Sequence, residues 1–159
     1  MFGKGDAAAT LAALSKSQAI IEFGLDGTIL GANENFLNLV GYRLDEIVGQ
    51  HHRMFVEPSY AQSEDYAEFW RRLGRGEFNS GEYKELGKGG KEVWIEASYS
   101  PVLDRAGKPV KVVKIAADVT ARRLAAADAQ SQLAAIGRAQ AVIEFNLDGT
   151  VITANDNFC

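Results

Sequence analysis

Two histidines, His51 and His52, stand side by side and are the only imidazoles among 159 residues. A neutral imidazole can ligate haem iron or contact an organic cofactor, so this pair is the natural starting point for chemistry. The plainer alternative is a loop histidine held by backbone hydrogen bonds. Catalysis has little else to draw on. The chain contains no HExxH or CxxC pair, no P-loop and no GxSxG. The glycine-rich stretches at 74–76 (GRG) and 87–90 (GKGG) lack the spacing of a phosphate cradle and read as turns. Trp70 and Trp94 read as packing anchors, and Asn33 as a helix N-cap. These residue types point to a binding module and away from an enzyme, with no metal site unless His51 or His52 holds haem iron.

The elements that must position these residues follow from pattern. Ile21, Phe23 and Leu25 alternate with Glu22, the period of a half-buried strand over 19–25. Asp26-Gly27 predicts a tight two-residue hairpin turn, with a return strand from Thr28 to Ala32. Asn33 then opens a short helix whose apolar side is Phe36, Leu37 and Val40, ended by Gly41. Leu44–Val48 makes a further helical turn closed by Gly49. Residues 59–73 carry helical periodicity, with Tyr66, Phe69, Trp70 and Leu73 inward and Arg71 and Arg72 outward. Three strands follow, at Gly81–Leu86, Val93–Pro101 and Val110–Ala117. On the middle one, Val93, Ile95, Ala97 and Tyr99 share one face and become candidates for a cavity wall, while Trp94, Glu96 and Ser98 face outward. The order predicts an α+β domain, a five-stranded antiparallel sheet with short helices on one face. Residues 6–15 read as an amphipathic helix, and Thr120–Gly137 as a linker helix with sparse, small apolar positions suited to weak pairing with a partner helix.

An internal repeat sets the boundaries. QAIIEFGLDGTILGANENF at 18–36 returns as QAVIEFNLDGTVITANDNF at 140–158, with thirteen of nineteen positions identical at an offset of 122. The expected organisation is an N-terminal helix (1–17), one complete domain (18–119), a linker helix (120–138) and the start of a second copy (139–159), either detached or competing for the place of the first hairpin. A net charge of −4 with interspersed signs argues against a nucleic-acid partner or an anionic membrane surface. No stretch has the length of a membrane span, and Met1–Asp6 lacks a cationic-then-apolar leader. Cys159, the sole cysteine, forms no internal disulfide, so the expected location is the cytoplasm.

LDGT-x3-AN-x2-F at 25–36, the GY at 41–42 and the DVT at 118–120, in this order of elements, resemble the PAS superfamily. GQHHRMFVEP (49–58), FWRRLGRGEF (69–78) and KGGKEVWIEASYSPVLD (88–104) are similar to the cytoplasmic PAS domains of methyl-accepting chemotaxis receptors, including aerotaxis-type receptors and biofilm-dispersion regulators with two such domains in tandem. The resemblance implies a PAS fold with a cavity between helices and sheet, able to hold a small ligand, a flavin or haem. It implies candidate contacts at Asn33 and His52, to which the strand pattern adds Ile95 and Tyr99. It also implies a relay from the last strand to the outgoing helix through Asp118 and Thr120, with Thr120 as that helix's N-cap. The chain departs from the aerotaxis receptors at Val56, Glu57 and Asn79, which weighs against FAD. Haem-binding members often place the iron ligand on the longer helix, and 59–73 has no histidine. Neither cofactor is favoured. Cys159 lies outside the complete copy, which excludes the flavin–cysteine photochemistry of light sensors. The expected role is a sensory input module that forms a homodimer through its terminal helices or the outer sheet face. The alternative is a ligand-free PAS module serving dimerisation alone.

Overall fold

The computed structural model describes residues 4–139, 143–145 and 151–154. The first unit, Met1–Thr120, holds the complete domain. Helix α1 (Lys4–Ser17) leads into strands β1 (Ala19–Phe23) and β2 (Ile29–Ala32), then helices α2 (Glu34–Val40) and α3 (Leu44–Ile47). A 3-10 turn at His52–Phe55 precedes α4 (Pro58–Ala61) and α5 (Glu64–Gly74), and the unit closes with β3 (Asn79–Leu86), β4 (Glu92–Leu103) and β5 (Pro109–Asp118). The five strands form one antiparallel sheet in the order β2-β1-β5-β4-β3, as the pattern predicts.

Alternation decides which face is inside. Val93, Ile95, Ala97 and Tyr99 of β4 are buried, and so are Ile21 and Phe23 of β1 and Val112 and Ala116 of β5. Phe36 and Val40 of α2, Ile47, Phe55, Tyr66, Trp70 and Leu73 cover that face from the helical side. Each large apolar side chain sealed in this way stabilises the fold by about 1.5–3 kcal/mol. Trp94 is half-buried on the opposite face, as its register requires.

Two local expectations are corrected. The first hairpin has no two-residue turn: Gly27 N–H closes a four-residue turn on the Gly24 carbonyl (3.0 Å), and Gly24 N–H bonds the Thr28 carbonyl (2.8 Å). Gly27, at φ +90°, supplies the left-handed residue of a longer, bulged loop, and the β1–β2 register shifts between Glu22 and Phe23. The helix expected over 59–73 is two helices. Ser63 interrupts it, accepting the Tyr66 N–H as the N-cap of α5, with Glu64 and Asp65 in the first turn. Helix α1 presents Leu11 and Leu14 to solvent, with Ser15 half-buried where Asn33 holds it.

Helix α6 (Thr120–Ala139) and the hairpin of β6 (Ile143–Phe145) and β7 (Val151–Ala154) belong to the second unit, apart from Thr120 itself. The β6–β7 ladder pairs Ile143 with Ala154, Glu144 with Thr153 and Phe145 with Val151. Every pair is the β1–β2 register displaced by the sequence offset, register shift included. The helices end in step as well, α1 at Ser17 and α6 at Ala139. The β6–β7 pair forms its own two-stranded sheet while β1 and β2 keep their places in the first. Among the described residues no helix is long and apolar enough to cross a membrane.

Candidate functional site

The 3-10 turn after α3 delivers the two histidines to different surroundings. His51 closes the first hairpin. Its Nε2 donates to the Asp26 carbonyl (2.7 Å) and its Nδ1 accepts the Arg53 N–H (3.0 Å). Burial, opposed by the Asp26 carbonyl, holds its pKa below the ordinary histidine value. Both nitrogens are thus in use.

His52 points inward and is almost fully buried. Its Nδ1 lies 2.8 Å from the Tyr66 hydroxyl on α5, and its Nε2 3.0 Å from the Tyr99 hydroxyl on β4. Tyr99 donates onward to Oε1 of Glu85 on β3 (3.3 Å). Lys114 on β5 donates to that same oxygen. Donor logic fixes the direction of this chain. Because Tyr99 spends its proton on Glu85, it accepts from His52 Nε2–H, and His52 Nδ1 accepts from Tyr66. Burial holds His52 neutral, with its pKa below the usual value despite the Glu85 carboxylate nearby. Burial also raises Tyr66 to about 12 and Tyr99 well above the phenol value, so both keep the protons this chain needs.

Glu85 and Lys114 form an ion pair with 1% and 0% side-chain exposure. Burial pushes the Glu85 carboxyl up, but the Lys114 charge and the His52 contact outweigh it and hold Glu85 below the carboxylate range. Burial lowers Lys114, with Glu85 opposing. The Lys114 ammonium also sits 5.4 Å from the Phe36 ring centroid and 5.1 Å from that of Tyr99.

Beside this network lies a pocket of about 310 Å³, lined by His52, Tyr66, Phe69, Tyr83, Glu85 and Tyr99, with Val56, Glu57 and Tyr60 at the α4 side. That volume is at the lower end for small-molecule sites. The structure therefore brings His52 and Tyr99 together in one pocket. Ile95 is fully buried in the core cluster, and Asn33 lies elsewhere. Asn33 caps α2 by accepting the Phe36 N–H, accepts the Ile20 N–H, and donates to Ser15 and Gln18. Asn35 donates to carbonyls of the same stretch. The asparagines thus fasten the end of α1 to the domain. Haem ligation does not fit either histidine, because no ring nitrogen of the pair lacks a partner.

At the far end of β5 the hydroxyl of Thr120 accepts the Trp94 N–H (2.8 Å), and Val119 N–H bonds the Trp94 carbonyl (2.8 Å). Asp118 Oδ1 takes the Thr120 N–H (2.9 Å). The expectation that Thr120 caps the helix is corrected: its side chain is spent on β4, and the carboxylate of Asp118 satisfies the first free amide.

Glu85 and Lys114 were not among the expected site residues. The signal was in the strand period, since Lys114 falls on the inward register of β5 between Val112 and Ala116.

The PAS fold family matches residues 15–124. The chain is 52% identical over 148 residues to the biofilm dispersion protein BdlA of Pseudomonas aeruginosa, covering 93% of this chain and 36% of that protein. It is 33% identical over 104 residues to the aerotaxis receptor of Escherichia coli, covering 65% of this chain and 20% of that one. It thus spans about a third of the first relative's length and a fifth of the second's. Among solved structures, a PAS domain from Colwellia psychrerythraea superposes with a TM-score of 0.61 at 25% identity, over 72% of this chain and 98% of that one. A light-oxygen-voltage domain studied with a flavin analogue gives 0.61 at 22%, over 82% and 98%. With matching motifs, strand order and relatives, the chain belongs to the PAS fold family.

Proposed function

We propose that this chain is the sensory input module of a chemotaxis-type signalling protein. It takes a small ligand in the pocket beside His52, Tyr99 and Glu85 and passes occupancy to α6. One observation carries the reading: an unbroken buried chain of hydrogen bonds runs from Tyr66 through His52, Tyr99 and Glu85 to Lys114. Lys114 lies on β5, the strand that ends at Asp118 beside the Trp94–Thr120 junction. A ligand that moves Glu85 changes what holds Lys114, and a change of a few tenths to about 1 kcal/mol at a helix start is enough to shift a two-state balance. The relatives support this role, one being named for biofilm dispersion and the other for aerotaxis. The cytoplasmic location and a homodimer through the terminal helices are part of the same proposal.

Native mass spectrometry of freshly purified protein, paired with hydrogen exchange of 118–139 before and after the bound molecule is stripped, tests it. A co-purifying small mass and altered protection at the start of α6 are expected. No bound mass and identical exchange would leave the module without a ligand and overturn the reading.

A further inference from the structure

We propose that the pocket selects a small organic ammonium ion, an amine cation with an apolar or aromatic body; this rests on the ligand-pocket reading above and names the class of ligand. Three features converge on that chemistry. The wall is aromatic and continuous: Tyr60 and Tyr66 stand 5.2 Å apart between centroids, Phe69 and Tyr99 4.9 Å, and Tyr83 and Tyr99 5.5 Å. A cation is drawn to aromatic walls of this kind through the negative charge of their ring faces. Lys114, seated at 5.1 Å from the Tyr99 ring, shows that ring already receiving one from behind.

The second feature is Glu85. It lines the pocket at 1% side-chain exposure, and its Oε1 receives Lys114 and Tyr99 and lies 3.5 Å from His52 Nε2. Its Oε2 has no hydrogen-bond partner among the described residues. A buried carboxylate oxygen without a donor is costly, and an N–H from a ligand is the group that relieves it. The third feature is charge. The lining carries three carboxylates, Glu57, Glu82 and Glu85; Lys84 pairs with Glu57 and Lys114 with Glu85, so the lining cation is already engaged while the carboxylates outnumber it. Lys114 is held by Glu85 on the side of the Phe36 ring and is not part of the lining. An anionic ligand would meet carboxylates and ring faces, both repulsive to it.

Three probes of matched shape separate the possibilities on the full chain by isothermal titration: 2-phenylethylammonium, 2-phenylethanol and phenylacetate. The ammonium is expected to bind at least about tenfold more tightly than either of the others, the scale of a charge-assisted hydrogen bond. Tyr83→Leu should weaken it by about 2- to 30-fold through loss of one ring face. The double variant Glu85→Gln with Lys114→Met, which leaves no buried charge unpaired, should remove the preference for the ammonium over the alcohol. Equal or tighter binding of the alcohol or the carboxylate overturns the amine assignment and leaves a ligand pocket of another class. Binding of none of the three also overturns it, while the pocket itself stands or falls on the co-purified mass and the α6 exchange.

Discussion

Lys114 reaches Oε1 of Glu85 across β4, from strands that flank it on either side, with both side chains withdrawn from water. Removing one partner strands the other as a buried charge, whereas removing both does not. Glu85→Gln alone is expected to destabilise the domain by about 3–5 kcal/mol, and Glu85→Leu with Lys114→Met to restore most of that loss. Urea midpoints at constant m-value measure both. A double variant as unstable as the single would show that the pair is not the source of the cost.

Acid should weaken the domain in two stages. Burial holds both histidines below their ordinary pKa, so the folded state stays neutral where the unfolded chain takes up protons. Stability is therefore full above about pH 6.5 and falls as pH drops from there. Glu85, also held low, adds its loss only in stronger acid, below the ordinary carboxylate range near pH 4.5. Unfolding free energies between pH 8 and 5 should decline, and His51→Asn should reduce the slope. A flat profile over that range would contradict the neutral, buried imidazoles.

Gly27→Ala combines two penalties. The residue sits at φ +90°, and an added Cβ would collide with Nε2 of His51. A loss above about 1 kcal/mol is expected. Pairing it with His51→Ala removes the collision and leaves the backbone strain, so the two changes should be non-additive in a double-mutant cycle. Additivity would place the whole cost in the backbone.

Asn33→Ala should release α1. The side chain holds Ser15 and Gln18 as well as capping α2. The cap alone is worth about 1 kcal/mol. Hydrogen exchange over 4–17 should rise well beyond that of the sheet, which remains paired. Unchanged protection there would assign the fastening to Asn35.

Much of this was legible in the residues. Alternation placed Ile95 and Tyr99 inward and Trp94 outward, and the Asn33 and Gly41 pair bounded α2 correctly. The sequence leaves the loop at Gly24–Thr28 open because Asp-Gly serves both a two-residue turn and a bulged one. The break at Ser63 was available in Ser-Glu-Asp, an N-cap followed by an acidic first turn, but it was masked by the apolar spacing on either side. The Glu85–Lys114 pair was the hardest to see. Glu85 stands opposite Val93 and Lys114 opposite Tyr99, so the register does not align them, and the lengths of the two side chains do the joining.

The shared register of the two hairpins would let either one offer its first strand to β5 during folding. Strand β1 must find β5 across 91 residues, from Glu22 to Val113, whereas the equivalent Glu144 lies 31 residues from Val113. Loop-closure entropy alone favours the nearer hairpin by about 1 kcal/mol. Yet in the structure β5 holds β1. Order of synthesis acts the other way. At about 5–20 residues per second, β5 emerges roughly 2–6 seconds before the second hairpin, ample time for the first to dock. Refolding from denaturant erases that head start, and a chain renatured at full length offers β5 both hairpins at once.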